Sequence, residues 1–398
     1  MREYTAWAVE RAMKVQQVVL KAMSGEINWL TAAEILGISA RSMYRWKERY
    51  REYGYDGLFD RRAGKPSPKR VPMETVERVL RLYREKYSDF SVRHFHEKLE
   101  EVEGIGLSYT WVKTALQTAG LARKTRKRGP HRKRRPRKPL PGILLHIDGS
   151  PHRWLGDGRY YDLIVVLDDA TNEVYWAELV EEENTRTLMK ALAEVIRRRG
   201  LFCSLYTDRA SHFTYTRQAG QAPERGHTQI ERALDQLGIE LILARSPQAR
   251  GRSERNFRTW QGRLPQELRA RGIQTLAAAN AFLEREYVQE FNRRFAVTPA
   301  ESDSAFVPFS GDLDRYLCIQ EERTVGNDNT VRLGSLILQI EPQKFRFSLA
   351  KRRALVCRHL DDTITVRYGP HVLGRYSATG ELLDAPERRR TKRTEEAA

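Results

Sequence analysis

The chain has 398 residues, with 70 Lys and Arg against 52 Asp and Glu, a formal net charge of +18 and a sequence pI of about 9.9. An excess of that size neutralises phosphates, so a nucleic acid is the expected partner, and neither a membrane nor a small-molecule substrate is expected. Three scattered cysteines, Cys203, Cys318 and Cys357, exclude a disulfide framework, and neither a signal pattern nor an apolar run of the ~18 residues that span a bilayer is present. The expectation is a soluble cytoplasmic protein of several domains.

From Ala6 to Met23 apolar residues recur at helical spacing, and a second periodic stretch follows Thr31 in LTAAEILGISARSMYRWKERY. Gly37 supplies the turn between two helices, Thr31 and Ser39 are the expected N-caps, and Ala33, Leu36, Ile38, Met43 and Trp46 close the core. This is a helix-turn-helix pattern over residues 1–56. Its second helix exposes Arg41, Ser42, Arg45 and Arg49, residue types that reach phosphates and guanine edges in a major groove. An ordinary helical hairpin with a solvated charged face is the plainer alternative. Residues 57–72 form a basic linker containing Pro66, Pro68 and Pro72.

A second helical, helix-turn-helix-like module spans 73–122, with Ser91 and Ser108 as caps, Trp111, Leu116 and Leu121 on an apolar side and Lys113 exposed to DNA. His94 and His96 invite a zinc reading, but no cysteine pair accompanies them as in a structural zinc site. The segment 123–141 has no acid and repeated prolines, so it is expected to be unstructured alone and to lie along DNA through Arg132, Lys133, Arg134 and Arg135.

Three acids then stand in different settings. Asp148 follows the apolar run Ile143 to Ile147 and is expected at the end of a buried strand, sharing one face with Leu144 and His146. Asp208 closes a second short strand, read over Leu201 to Tyr206. Glu254 lies on a helix whose Phe257, Trp260 and Leu264 recur on one side, while Glu254, Arg258 and Gln261 fall on another. If the three converge, their oxygens make a cage for Mg2+ or Mn2+, and two such ions ~3.5–4 Å apart suit in-line phosphoryl transfer. Between the acids, YYDLIVVLDDA and NEVYWAELVE read as antiparallel strands joined through Asp169 to Asn172, so Asp168 and Asp169 are taken as turn residues.

In the segments HIDGSPHRWLGDG, LYTDRASHF and SPQARGRSERNFRTWQGRLPQELRARGI the chain resembles DDE transposases with a retroviral-integrase-type, ribonuclease-H-like core, and more narrowly the ISNCY-type insertion-sequence transposases. The resemblance implies a multidomain fold: N-terminal helix-turn-helix modules, a central α/β ribonuclease-H-like mixed sheet over 142–305, and a small all-β barrel over 320–380. It also implies donor cleavage and strand transfer, with Asp148, Asp208 and Glu254 as ligands of two Mg2+ or Mn2+ ions, and a homo-oligomer assembled on element ends and target DNA. Integrases carry a basic residue at the turn matching Arg258, but Gln261 stands where the next turn has Lys, and Arg209 and Ala210 follow Asp208 in place of Asn and Gly. Arg250, in the loop before Glu254, completes the expected DNA contacts. His146, His152 and His212 lie near the acids in sequence with roles left open.

Beyond Pro299, TVRLGSLILQI, RRALVCRHL, TITVRY and HVLGRY read as short strands of the barrel, and the charged tail 386–398 as disordered. Two competing functions remain at this point: a catalytically silent DNA-binding regulator derived from a transposase, and a nonspecific ribonuclease-H-like nuclease. A nucleophilic cysteine is disfavoured because Cys203 is read inside an apolar strand.

Overall fold

The computed structural model describes residues 5–59, 70–124, 136–214, 227–244, 251–342 and 348–384, in two compact units, Met1–Val79 and Leu80–Ala398. Among the described residues no helix is long and apolar enough to cross a membrane.

The first unit contains helices α1 (Ala6–Met23), α2 (Trp29–Leu36) and α3 (Ala40–Tyr53). Val15, Val19, Ala32, Ala33 and Met43 form its buried centre, with Leu36, Ile38 and Trp46 packed at the margin. The cap of α2 differs from expectation: Asn28, not Thr31, starts the helix, and its Oδ1 accepts the Thr31 backbone N–H at 2.8 Å and the Thr31 hydroxyl at 3.1 Å. Asn is as good a cap as Thr, and it stands one turn earlier. Gly37, at φ +63, ends α2 in the left-handed region, and Ser39 caps α3 by accepting the Ser42 N–H.

Helix α4 (Met73–Glu85) leads into the second unit, where α5 (Val92–Glu101) and α6 (Tyr109–Thr118) are capped by Ser91 and Ser108 as expected. A mixed five-stranded sheet follows, in the order β3-β2-β1-β4-β5. Strands β1 (Leu144–His152), β2 (Tyr161–Asp168) and β3 (Val174–Val180) are antiparallel, and β4 (Ser204–Thr207) and β5 (Glu240–Leu243) run parallel to β1. This is the ribonuclease-H-like arrangement.

Helices α7 (Thr185–Arg199) and α8 (Gln229–Gln236) make the crossovers and cover one face, burying Leu145, Ile147, Ile164 and Val166. The other face, with Leu163, Val165 and Leu167, is covered by α9 (Gly251–Gln261), α10 (Leu264–Ala270), α11 (Leu276–Phe282) and α12 (Val288–Phe295). With both faces covered, β2 reads as an unbroken apolar run. The edge strand β3 is closed by side chains. Asn292 exchanges two 2.8 Å hydrogen bonds with the backbone of Val174, and Asn280 exchanges two of 2.7 and 2.8 Å with Leu179, so the outer backbone groups of those residues offer no template for another strand.

Helix α5 is tied to this helical layer by a buried ionic network. Glu97 accepts from Arg263 (2.7 and 3.1 Å) and Arg294 (2.6 Å). Glu267, 1 % exposed, is met by His94 Nε2 at 2.6 Å, Lys98 at 2.7 Å and Arg271. Burial alone raises the Glu267 carboxyl, but the hydrogen bonds from His94 and Lys98 outweigh it and hold it at about 2. His94, whose own ionisation burial suppresses, donates to that carboxylate as a neutral ring. His96 spends its Nε2 on the Leu107 carbonyl, 2.7 Å away, so the two histidines serve separate packing roles.

The C-terminal region is all-β. Strands β6 (Ile319–Thr324), β9 (Arg353–Arg358), β10 (Ile364–Tyr368), β11 (His371–Tyr376) and β12 (Leu382–Asp384) form an antiparallel sheet in the order β12-β11-β10-β9-β6. The hairpin β7 (Thr330–Leu333) and β8 (Leu336–Gln339) shares its core through Val331, Leu338, Val356, Val366 and Leu373.

Candidate active site

Strand β1 has unequal partners on its two sides. Its pairing with β4 runs from Leu144↔Ser204 to His146↔Tyr206 and stops, whereas its pairing with β2 continues through Asp148↔Val165 to His152↔Tyr161. Asp148 therefore does not end the strand, as its sequence context suggested, because the β2 hairpin carries β1 four residues further. It does lie just past the last β4 pair, on the face of Val165. Asp208 is the first residue after β4, where the same gap opens, and it accepts the Ala210 N–H at 2.9 Å. β4 itself is shorter than expected at its start: Leu201 bridges to Val307, and Cys203 donates its N–H to Gly142 instead. Cys203 is consequently exposed, not enclosed in an apolar strand.

Glu254 projects from the first turn of α9, whose opposite side buries Phe257 and Trp260; the Trp260 ring stacks on Phe291 with centroids 4.3 Å apart. Asp148, Asp208 and Glu254 line a single open cavity of about 600 Å³, joined by Arg258 and Gln261 one and two turns along α9. Gln261 is oriented by the Ser150 hydroxyl, 3.0 Å from its Nε2.

The cavity also holds an acid that sequence reasoning missed. Glu183, between β3 and α7, is held through its backbone N–H by Asp162 at 2.8 Å, and its carboxylate lies against Gly149, next to Asp148. Any Cβ at position 149 would collide with that carboxylate, so the glycine after Asp148 was the one local signal. Four carboxylates around one water-accessible cavity make a donor set of hard oxygens, which fits Mg2+ or Mn2+ and not a thiophilic ion. Among the described residues no three acid, His or Cys side chains are gathered around one point.

The neighbouring acids Asp168 and Asp169 are fully enclosed. Asp168 accepts the backbone N–H groups of Gly142, Ala170 and Thr171 at 2.8–2.9 Å and the Thr171 hydroxyl at 3.2 Å. Burial still leaves its pKa above the ordinary carboxylate value. For Asp169 burial pushes the same way, but hydrogen bonds from His146 and the Lys138 N–H, with the Arg252 charge, outweigh it and hold the carboxyl well below the usual range. His146 is thus turned to Asp169. His152 packs edge-on against Trp154, and burial lowers its pKa; His212 alone of the three lines the cavity.

Of the residues expected at DNA, Arg41, Arg45 and Arg49 lie exposed on α3 and Lys113 on α6. Ser42 is half-buried and engaged with Ser39, 2.9 Å between hydroxyls. Arg132, Lys133, Arg134, Arg135, Arg250 and the loop before Glu254 fall outside the described residues.

Fold and site together define a chain with a helix-turn-helix front end and a ribonuclease-H-like core bearing acids at its cleft. Residues 16–67 match a helix-turn-helix domain family, and residues 42–116 match the Homeodomain-like domain family. The chain is 33% identical over 368 residues to a Sinorhizobium fredii protein named "Putative transposase y4bF", covering 92% of this chain and 80% of that one. It is 29% identical over 405 residues to the transposase for insertion sequence IS1202 of Streptococcus pneumoniae, covering 92% and 86%. The chain belongs to this family of insertion-sequence transposases. Among solved structures, it aligns with the magnesium-bound catalytic core domain of HTLV-2 integrase at 16% identity and a TM-score of 0.29, over 37% of this chain and 90% of that one. It aligns with a simian T-cell lymphotropic virus intasome bound to a PP2A regulatory subunit at 13% identity and a TM-score of 0.31, over 63% and 85%.

Proposed function

We infer that this transposase binds the terminal repeats of its element, hydrolyses a phosphodiester at each end to free a 3′-OH, and joins those ends to target DNA at the cavity of Asp148, Asp208 and Glu254. The observation that carries the reading is that these three acids, from two strands and a helix far apart in sequence, line one cavity together with the cation Arg258. Divalent Mg2+ or Mn2+, held by the three acids as two ions, would supply activation of the attacking oxygen and charge relief at the leaving one.

The chain's own groups account for the rest. The carboxylates repel a phosphate unless cations intervene, which restricts cleavage to the metal-loaded state. Arg258, one turn beyond Glu254, orients a phosphate oxygen at the cavity mouth, and Gln261, fixed by Ser150, lines the path of the strand. Water has free access to the open cavity, as hydrolysis at the first step requires. No protein nucleophile is needed.

In this reading residues 1–56 and 73–122 are recognition modules joined by the linker 57–72, and 123–141 is a second, basic linker into the catalytic core 142–305. Arg41, Arg45 and Arg49 read the element end, Ser42 supports them, Lys113 adds a contact, and Arg132 to Arg135 and Arg250 meet backbone phosphates. The small β domain 320–380 then engages target DNA or a neighbouring subunit, and the protein works as a homo-oligomer assembled on DNA at the bacterial nucleoid.

The test is a denaturing gel of duplexes carrying the sequences that flank the gene, incubated with Mg2+ or Mn2+ beside Glu254→Gln. End-specific nicks and joined products that vanish in the variant are expected. Cleavage without preference for the ends would mark a general nuclease, and end binding without cleavage in either metal would mark a silent regulator.

A further inference from the structure

Asp169 takes no part in the chemistry above, yet it gathers several parts of the site's framework. It follows β2 at the turn and is fully buried. Its Oδ1 accepts the His146 Nε2–H at 2.9 Å and pairs with the Arg252 guanidinium, while its Oδ2 accepts the Lys138 backbone N–H at 2.9 Å. Its backbone is used as fully: its N–H donates to the Leu144 carbonyl at 3.0 Å, and its carbonyl accepts from Arg252 at 3.0 Å and Arg137 at 2.9 Å.

Two of these partners are placed to matter. His146 lies two residues before Asp148 on β1, so the two side chains leave the same face of one strand. Arg252 lies two residues before Glu254 in the first turn of α9, where the backbone N–H groups have no intrahelical acceptor and the turn gains from outside anchors. One buried carboxylate thus grips the strand of one candidate ligand and the opening turn of the helix that carries another.

We propose that Asp169 is a positioning residue for strand cleavage and transfer, setting the separation of Asp148 and Glu254 through His146 and Arg252. The inference rests on reading those two acids as metal ligands. It assigns a role to a residue that its sequence context describes only as part of a turn. Outer contacts of this kind commonly govern metal affinity by about tenfold or more, so the defect should appear first in the metal requirement.

The experiment uses the full chain with Asp169→Asn, Arg252→Ala, Arg252→Lys and the double variant Asp169→Asn/Arg252→Ala, beside Glu254→Gln. End nicking is titrated with Mn2+. The Mn2+-induced rise in melting temperature is followed as a readout independent of turnover, and affinity for end DNA is measured without metal. Each single disruption should raise the Mn2+ midpoint about tenfold and shrink the thermal response without altering DNA affinity. Arg252→Lys should recover part of the loss, and the double variant should be no worse than the worse single one, since both break one linkage. Wild-type midpoints, or strictly additive losses, would overturn the proposal. If Asp169→Asn does not fold, Arg252→Ala and Arg252→Lys decide alone, because the Arg252 side chain is 20% exposed and its truncation is better tolerated. Retained cleavage in Glu254→Gln would instead refute the reading of the acids, and loss there with normal Asp169 and Arg252 variants would refute only the positioning role.

Discussion

Asp168 and Asp169 stand on the same sheet as Asp148 and Asp208, in opposite surroundings. The first two have no solvent exposure, and backbone N–H groups, a histidine and an arginine meet their oxygens. The second two are half-exposed where β1 and β4 part, and they face a cavity shared with Glu183, Glu254 and Arg258. An acid enclosed by protein donors holds the fold together, whereas the acids that line the open cavity are those assigned to a bound cation in the proposed function. The difference lies in what surrounds each carboxylate, since all four lie on a strand of this sheet or on the residue just after one.

The sharpest way to break this contrast is to neutralise an acid of the cavity. Asp148→Asn or Glu254→Gln should lower end cleavage by about a thousandfold, the scale of losing several kcal/mol of charge stabilisation, in a single-turnover assay. Neither should change stability by more than about 1 kcal/mol, because both side chains reach solvent. Asp168→Ala should do the reverse in kind: it leaves three buried N–H groups unanswered and should cost about 3 kcal/mol or more in urea unfolding.

The buried network between α5 and α10 sharpens the comparison by pH. Glu267 is held at about 2 against an ordinary 4.5, so its ionised form stabilises the folded state. That contribution is complete above about pH 4.5 and is lost as pH falls towards 2, because the unfolded chain takes up the proton first. The urea midpoint should fall through this window, and Glu267→Gln should be weaker at neutral pH with a flatter acid limb. A midpoint that does not move between pH 4.5 and 2 would contradict it. The smallest expected effect is at the surface: Arg45→Ala on α3 should reduce the salt slope of DNA binding by about 0.9, the release associated with one phosphate contact, as read by gel shift at several ionic strengths.

Much of the architecture was legible because it is local. Gly37 and Ser39 announce the helix-turn-helix through backbone conformation and capping, the unbroken apolar run of β2 announces a strand covered on both faces, and the spacing of Phe257 and Trp260 separates them from Glu254. What was illegible depends on distant partners. Gly149 to His152 carry residues that strands avoid, and they extend β1 only because β2 pairs with them. Glu183 looks like one of several acids before a helix until Asp162 holds its backbone beside Gly149. Asn280 and Asn292 read as polar interruptions in helices, and their use as the closing edge of β3 depends on residues more than a hundred positions away. The role of Asp169 was hidden for the same reason: its turn is local, but His146 and Arg252 come from either side in sequence.

The most direct measurement of the central claim is the melting temperature of the DNA-free protein titrated with Mn2+, for the wild type, Asp208→Asn and Asp168→Asn. Binding to the folded state alone raises stability by mass action. The wild type should gain several degrees, Asp208→Asn should gain almost nothing, and Asp168→Asn should start lower yet gain as much as the wild type. An equal response in Asp208→Asn, or a response abolished by Asp168→Asn instead, would place the metal elsewhere and contradict the division of the acids drawn above.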